Sequence, residues 1–277
     1  MPAEGPLSSY RIIGRPLPRF DVVDKVRGNT LYAADWTLPG MLEGRVLRAP
    51  FAPAKIRAID TSRARRLPGV VAVLTAWDVP NNFQEEDPTG LGLVRFATPV
   101  LAQDRVLYQG EPVAVVAAET PERADEALEC IDVEYEPMVG VFDVEEALNP
   151  DAPRVHPDFP TGNLLVRWAT RQGDPEAAFA EAAVVVERTY RTQWVDHAYL
   201  EPEAGVAWVD SNGVLVIRSS TQVVEHFREI ARILGLPQNL VRVVAPFLGG
   251  GFGGKEDMTV EPYVALLAWK TGRPVRM

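Results

Sequence analysis

The stretch GGGFGGKE, residues 249–256, constrains this chain more than any other. Five of its first six residues are glycine, so the backbone there lies open to close approach and to positive φ. It follows a strand-like run, LVRVVAPF, and precedes an apolar helical stripe of Val260, Tyr263, Val264 and Leu267 that stops near Gly272. Strand, glycine loop and helix N-terminus together suggest an anion site, where backbone N–H groups converge and the helix dipole adds positive potential. Two nucleotide motifs overlay the loop. Gly249, Gly251 and Gly254 read G-x-G-x-x-G, and Gly249, Gly254 and Lys255 read G-x-x-x-x-G-K. A phosphate loop of the second kind needs Ser or Thr after its Lys to hold Mg²⁺, whereas Glu256 here would repel phosphate. The first kind wants a complete βαβ unit, and no second strand is evident after the loop. Phe252 suits neither motif. A bulky side chain that fixes the loop by packing, with its own N–H left free, fits a large flat cofactor with a polar head.

The composition narrows the partner. At 277 residues, 47% of them hydrophobic and 24% charged, the chain has room for two domains and a sizeable core. A net charge of −10 argues against nucleic acid, and the run at Arg63–Arg66 reads as a solvated face. One cysteine, Cys130, excludes a disulfide framework and speaks against iron–sulfur or zinc sites built by this chain; it reads as a buried structural thiol. His156, His197 and His226 have no chelating spacing. The first residues lack the pattern of a secretory signal and no apolar run is long enough to span a bilayer, so the expected location is cytoplasmic, with no membrane partner.

Along the chain, alternation predicts strands at residues 41–49, 70–75, 111–119 and 131–136. A helix begins at Thr120, with Pro121 at its first position and Ala124, Ala127, Leu128 and Ile131 on its apolar face. Residues 81–92 read as a loop. These elements define an α/β unit over 20–136. Residues 137–162 form a linker, proline-rich from Asn149 onward, and a second unit occupies 163–277. That unit opens with a short helix capped by Asp174, then strands at 183–190, 205–210 and 213–220, the last two joined by a turn at 210–213. A helix with Val223, Phe227, Ile230, Ala231 and Leu234 on one face ends at Gly235.

Blocks spread over nearly the whole chain resemble one family. They run from GRPLPR at Gly14 through IDTSRARRLPGVVAVLTAWDVP, YQGEPVAVVAAETPERADEAL, HAYLEPEAGVAW, STQ and GGGFGGKE to TGRPVR at Thr271. The chain is similar to the molybdenum-binding subunit of the xanthine dehydrogenase/aldehyde oxidase family of molybdenum hydroxylases. The resemblance implies an α/β (α+β) fold: a hammerhead-type α/β domain followed by the first part of a molybdopterin-binding domain. It implies hydroxylation of an sp² carbon of an N-heterocycle, such as a xanthine-like purine, or of an aldehyde, with water as the oxygen donor. It implies a molybdenum cofactor, as molybdopterin or its cytosine dinucleotide form, with no side chain of the protein ligating the metal directly.

The resemblance also assigns roles. Gln222 of STQ corresponds to a glutamine that hydrogen-bonds an oxygen ligand of the molybdenum. Gly250, Gly251, Phe252 and Gly253 correspond to the loop whose backbone meets the cofactor, with the Phe252 N–H directed at an oxo group. Glu256 corresponds to a catalytic and substrate-binding glutamate of purine-oxidising members. Iron–sulfur clusters and FAD are expected on partner chains. The family's molybdenum-binding chain extends well past TGRPVRM, into segments with further cofactor contacts and a general-base glutamate that has no counterpart among these residues. A further partner chain carrying those segments is therefore expected, the present chain being one piece of a split subunit or a truncated product. Two other readings stay open at this point: a non-catalytic assembly chain of the same fold, and a nucleotide-binding enzyme using the loop from Gly249 to Lys255.

Overall fold

The Val- and Ala-rich run Pro112–Ala118 is buried at every position, as expected of a strand covered on both faces. It lies at the heart of a computed structural model that describes residues 10–86, 96–157, 159 and 161–277. The first part holds helix α1 (Val22–Arg27) and strands β1 (Leu42–Arg48), β2 (Ala54–Asp60), β3 (Val70–Thr75), β4 (Gln84–Glu86), β5 (Phe96–Thr98), β6 (Arg105–Val106) and β7 (Pro112–Ala118). Helix α2 (Pro121–Glu129) and β8 (Asp132–Pro137) complete it. Then come α3 (Val144–Ala147), α4 (Pro175–Glu181), β9 (Gly205–Val209), β10 (Leu215–Ser219), α5 (Phe227–Leu234), β11 (Val241–Val244), α6 (Glu261–Thr271) and β12 (Val275–Arg276).

Local chemistry sets the helix boundaries. Thr120 accepts a hydrogen bond from the Arg123 N–H at the start of α2, and Asp174 accepts from Ala177 at the start of α4, each followed by proline. Gly235, at φ 66°, ends α5 in the left-handed conformation that a side chain would resist. Asp210 accepts from the N–H groups of Asn212 and Val214 and so closes the turn between β9 and β10.

The two units expected from the sequence share one mixed sheet of seven strands, ordered β11-β10-β9-β12-β1-β7-β3. The join is β12, which pairs parallel to β1 and antiparallel to β9. No strand was evident from sequence at this point. Val275 and Arg276 pair there because Gly44 on β1 leaves room: a Cβ at Gly44 would stand 2.9 Å from Met277 Cε and 3.2 Å from the Arg276 carbonyl oxygen. The Arg276–Glu43 ion pair, at 2.6 Å, ties the same two strands. Because β12 sits away from β11, the β11–loop–α6 passage is not the opening of a dinucleotide-binding βαβ unit. The main core runs across the join, with Leu42, Leu74 and Val115 packed into one cluster with Ile217, Ile230 and Leu266. Helix α6, whose residues 261–268 are all buried, lies across strands from both units.

Four sequence expectations differ from the structure. Residues 183–190 form no strand and are exposed, because a strand exists only where a ladder partner satisfies its backbone. Within 81–92, Gln84–Glu86 is a strand paired with β5, and the residues from Asp87 on lie outside the described residues. The 137–162 stretch contains the α3 turn, capped by Asp143. Cys130 is half-buried at the end of α2 rather than fully enclosed. Among the described residues no helix is long and apolar enough to cross a membrane.

Candidate active site

The glycine loop leaves the end of β11 and is met by two other segments. One is the residue run after β10, Ser220–Gln222; the other is the stretch 197–203 that leads into β9. Gln222 lies against the loop. Its N–H donates to the Lys255 carbonyl at 2.9 Å, and its side-chain oxygen accepts from Gly253 at 3.0 Å and Lys255 at 3.4 Å. Two N–H donors on one side-chain oxygen fix the amide orientation and leave the Gln222 Nε2 group, exposed, as an uncommitted donor.

The need for so many glycines comes from two directions. The protein's own side chains press against the loop from inside. A Cβ at Gly249 would come within 2.6 Å of Glu201 Cβ, one at Gly251 within 2.2 Å of Gln222 Oε1, and one at Gly254 within 2.7 Å of Tyr199 Cε1. Gly250 and Gly253 have φ of 106° and 94°. Among the described residues, the successive N–H groups of Gly250, Gly251 and Phe252 make no protein hydrogen bond, while the flanking Gly249, Gly253 and Gly254 N–H groups are all engaged.

Two non-glycine residues of the described chain have positive φ, Ala198 and Phe252, both at 54°. Both belong to this site, and such strain persists only where surrounding contacts over-determine the backbone. Phe252 does not anchor the loop by packing, as its size suggested from sequence; the residue is 75% exposed. The anchor is Lys255 with Glu201. Lys255 is buried, its ammonium 2.8 Å from the Glu201 carbonyl oxygen and 3.1 Å from its carboxylate, over the Tyr199 ring. Tyr199 in turn donates its hydroxyl to Glu203, and that acceptor, more than burial, pushes the phenol pKa up to about 12, so it remains a neutral donor.

Glu256 begins the exit from the loop. Its N–H donates to the Gly253 carbonyl, and its own carbonyl accepts from His226 Nε2 at 2.8 Å. The carboxylate is exposed and makes no hydrogen bond among the described residues. The helix N-terminus expected beside the loop is elsewhere: α6 starts at Glu261, whose carboxylate accepts from the Thr259 and Val260 N–H groups and from Ser219. Among the described residues the first helix after the loop is α6, which starts at Glu261 rather than at the loop itself, and the lysine of the phosphate-loop pattern is buried. Both findings count against the nucleotide readings. Sequence reasoning missed Glu201, Tyr199 and His226 as partners of the loop; the first two stood in the HAYLEPEAGVAW block without an assigned role.

Comparisons with known proteins bear on the family of the chain. Residues 27–138 match the aldehyde oxidase and xanthine dehydrogenase a/b hammerhead domain, and residues 155–277 match the molybdopterin cofactor-binding domain. The nicotinate dehydrogenase large molybdopterin subunit of Eubacterium barkeri is 38% identical over 97% of this chain and 61% of its own length. A probable xanthine dehydrogenase subunit of Bacillus subtilis is 41% identical over 96% of this chain and 35% of its own. The aldehyde oxidoreductase from Desulfovibrio gigas superposes with a TM-score of 0.85 at 30% identity, covering 94% of this chain and 29% of that one. The chain therefore spans less than two thirds of the length of each of these relatives.

Proposed function

The chain belongs to the molybdopterin-dependent oxidoreductases of the xanthine dehydrogenase and aldehyde oxidase family, as a hammerhead domain with the first part of the cofactor-binding domain, and from that premise we propose that it is the portion of a molybdenum hydroxylase that holds the molybdenum end of the cofactor and meets the substrate. The observation that carries this reading is the row of three unpaired N–H groups at Gly250–Phe252 beside the uncommitted amide donor of Gln222. A cluster of neutral, preorganised donors suits the oxygen ligands of a metal centre, and it needs no cationic side chain.

The residues fit the cofactor in kind. Gln222 Nε2 and the Phe252 N–H would donate to its oxygen ligands, and the backbone of Gly250, Gly251 and Gly253 would lie against it. When bound, the molybdenum centre supplies two-electron hydroxylation of an sp² carbon with oxygen drawn from water. Glu256 would bind the substrate through its free carboxylate, accepting from a ring N–H and orienting the carbon to be oxidised. Substrates of this kind are N-heterocycles, including xanthine-like purines, and aldehydes. The relatives support that range, since those named above include a nicotinate dehydrogenase, a probable xanthine dehydrogenase and an aldehyde oxidoreductase. The rest of the cofactor-binding domain would complete the site, and subunits carrying iron–sulfur clusters and FAD would take the electrons away.

Isotope labelling tests the reaction class. The complex purified through this chain, given an N-heterocycle or aldehyde panel in ¹⁸O-water, should place one ¹⁸O in the product. Oxygen taken from O₂, or no oxidation of any member at full molybdenum content, would contradict the reading.

A further inference from the structure

Lys255 and Glu201 stand out among the charged residues: their side chains are only 1% and 8% exposed, and they are paired with each other. Taking two charges out of water is costly, and a buried pair is weak evidence for stability. What this pair does is geometric. The Glu201 carboxylate oxygen Oε2 accepts from the Gly249 N–H at 2.8 Å and from Lys255 Nζ at 3.1 Å, and so grips both ends of the glycine loop with one atom. Glu201 adds two backbone contacts, its N–H donating to the Gly249 carbonyl and its carbonyl accepting from Lys255 Nζ. Lys255 also binds Gln222 through its own N–H and carbonyl.

We propose that Glu201 and Lys255 are positioning residues, an internal clamp that draws the two ends of the loop together so that the Gly250–Phe252 N–H groups and Gln222 Nε2 are held as one donor surface. Both side chains are buried, so the clamp acts through the loop backbone. Their pairing also cancels the Glu201 charge beside a site whose ligand is anionic. The cofactor half of the proposal rests on the function proposed above; the clamp itself stands on the contacts.

The test uses the chain in its purified complex, with Glu201→Gln, Lys255→Met and the double variant. Amide hydrogen exchange over residues 249–256 reads loop order, exchange over β9 and β10 checks the fold, and molybdenum and pterin content reads cofactor retention. Each single variant should raise loop exchange by about tenfold or more, leave β9 and β10 protected, and lower pterin content. The double variant should recover part of both losses, because removing one partner strands a buried charge whereas removing both does not. A merely structural role for either residue alone would make the two losses add instead. Should Lys255→Met fail to assemble, Glu201→Gln reads the same clamp at unchanged volume. Unchanged loop exchange in the single variants, or additive losses in the double, would overturn the clamp. A loosened loop with undiminished pterin content would overturn its link to the cofactor. A wild-type complex without molybdenum would count against the proposed function, while loop exchange would still decide the clamp.

Discussion

Gln222 has its amide oxygen taken by two loop N–H groups, so its remaining chemistry is donation from Nε2. If that donation stabilises charge on a metal ligand, Gln222→Ala in the assembled enzyme should lower turnover by roughly one to three powers of ten, as loss of an oxyanion-type donor does. Steady-state turnover normalised to molybdenum checks this, and unchanged turnover would refute the role. Glu256 differs, since its carboxylate is free. Glu256→Gln should keep the molybdenum content and slow only substrates with a ring N–H to recognise, by about 1–3 kcal/mol in kcat/KM. An equal loss on simple aldehydes would count against recognition. At this scale the candidate residues could be picked out in the sequence because each lies within one of two short blocks, STQ and GGGFGGKE. The clamp could not. Glu201 stands 48 residues from Gly249 and 54 from Lys255, and no local periodicity encodes a contact at that separation.

At the level of elements, caps and buried runs read well. The Thr120 and Asp174 caps, the Gly235 stop and the fully buried β7 follow from local chemistry that the sequence displays directly. Strand status did not transfer in the same way. Residues 183–190 have strong β propensity, yet Val184, Val185, Val186 and Tyr190 are exposed, as are Trp194, Val195 and Leu200 after them. Propensity describes fit to a pleated, half-buried surface, and here no such surface is adjacent. Contiguous apolar exposure of this kind is what an interaction surface presents, so the segment is expected to be covered once the enzyme is assembled. Amides of residues 184–195 should therefore exchange rapidly in the isolated chain, unlike those of β9 and β10, and become protected in the complex. Equal exchange in both states would show that the segment has no partner.

For the molecule as a whole, the two units suggested by composition and by the family blocks are stitched by a two-residue strand. That join was hidden because so short a strand carries no alternation, and its partner β1 lies more than 200 positions earlier, as the 233-residue separation of Glu43 and Arg276 shows. Its consequence is that the glycine loop rests on a sheet whose core reaches into the hammerhead part. Phe252 and Gln222 are exposed beside the loop, and a cofactor held on one side only would keep much of its own surface in water. The chain should therefore hold the molybdenum cofactor through the donor surface only when the remaining part of the binding domain is present. Molybdenum and pterin content, measured together with sizing, decides this for the chain alone and for the chain co-expressed with a polypeptide supplying the further cofactor-binding segments. The expected outcome is no stoichiometric molybdenum and self-association for the chain alone, and about one molybdenum and one pterin per chain in the complex, as for a single ligand site completed only on assembly. A monodisperse isolated chain carrying one molybdenum, or a complete complex carrying none, would refute it.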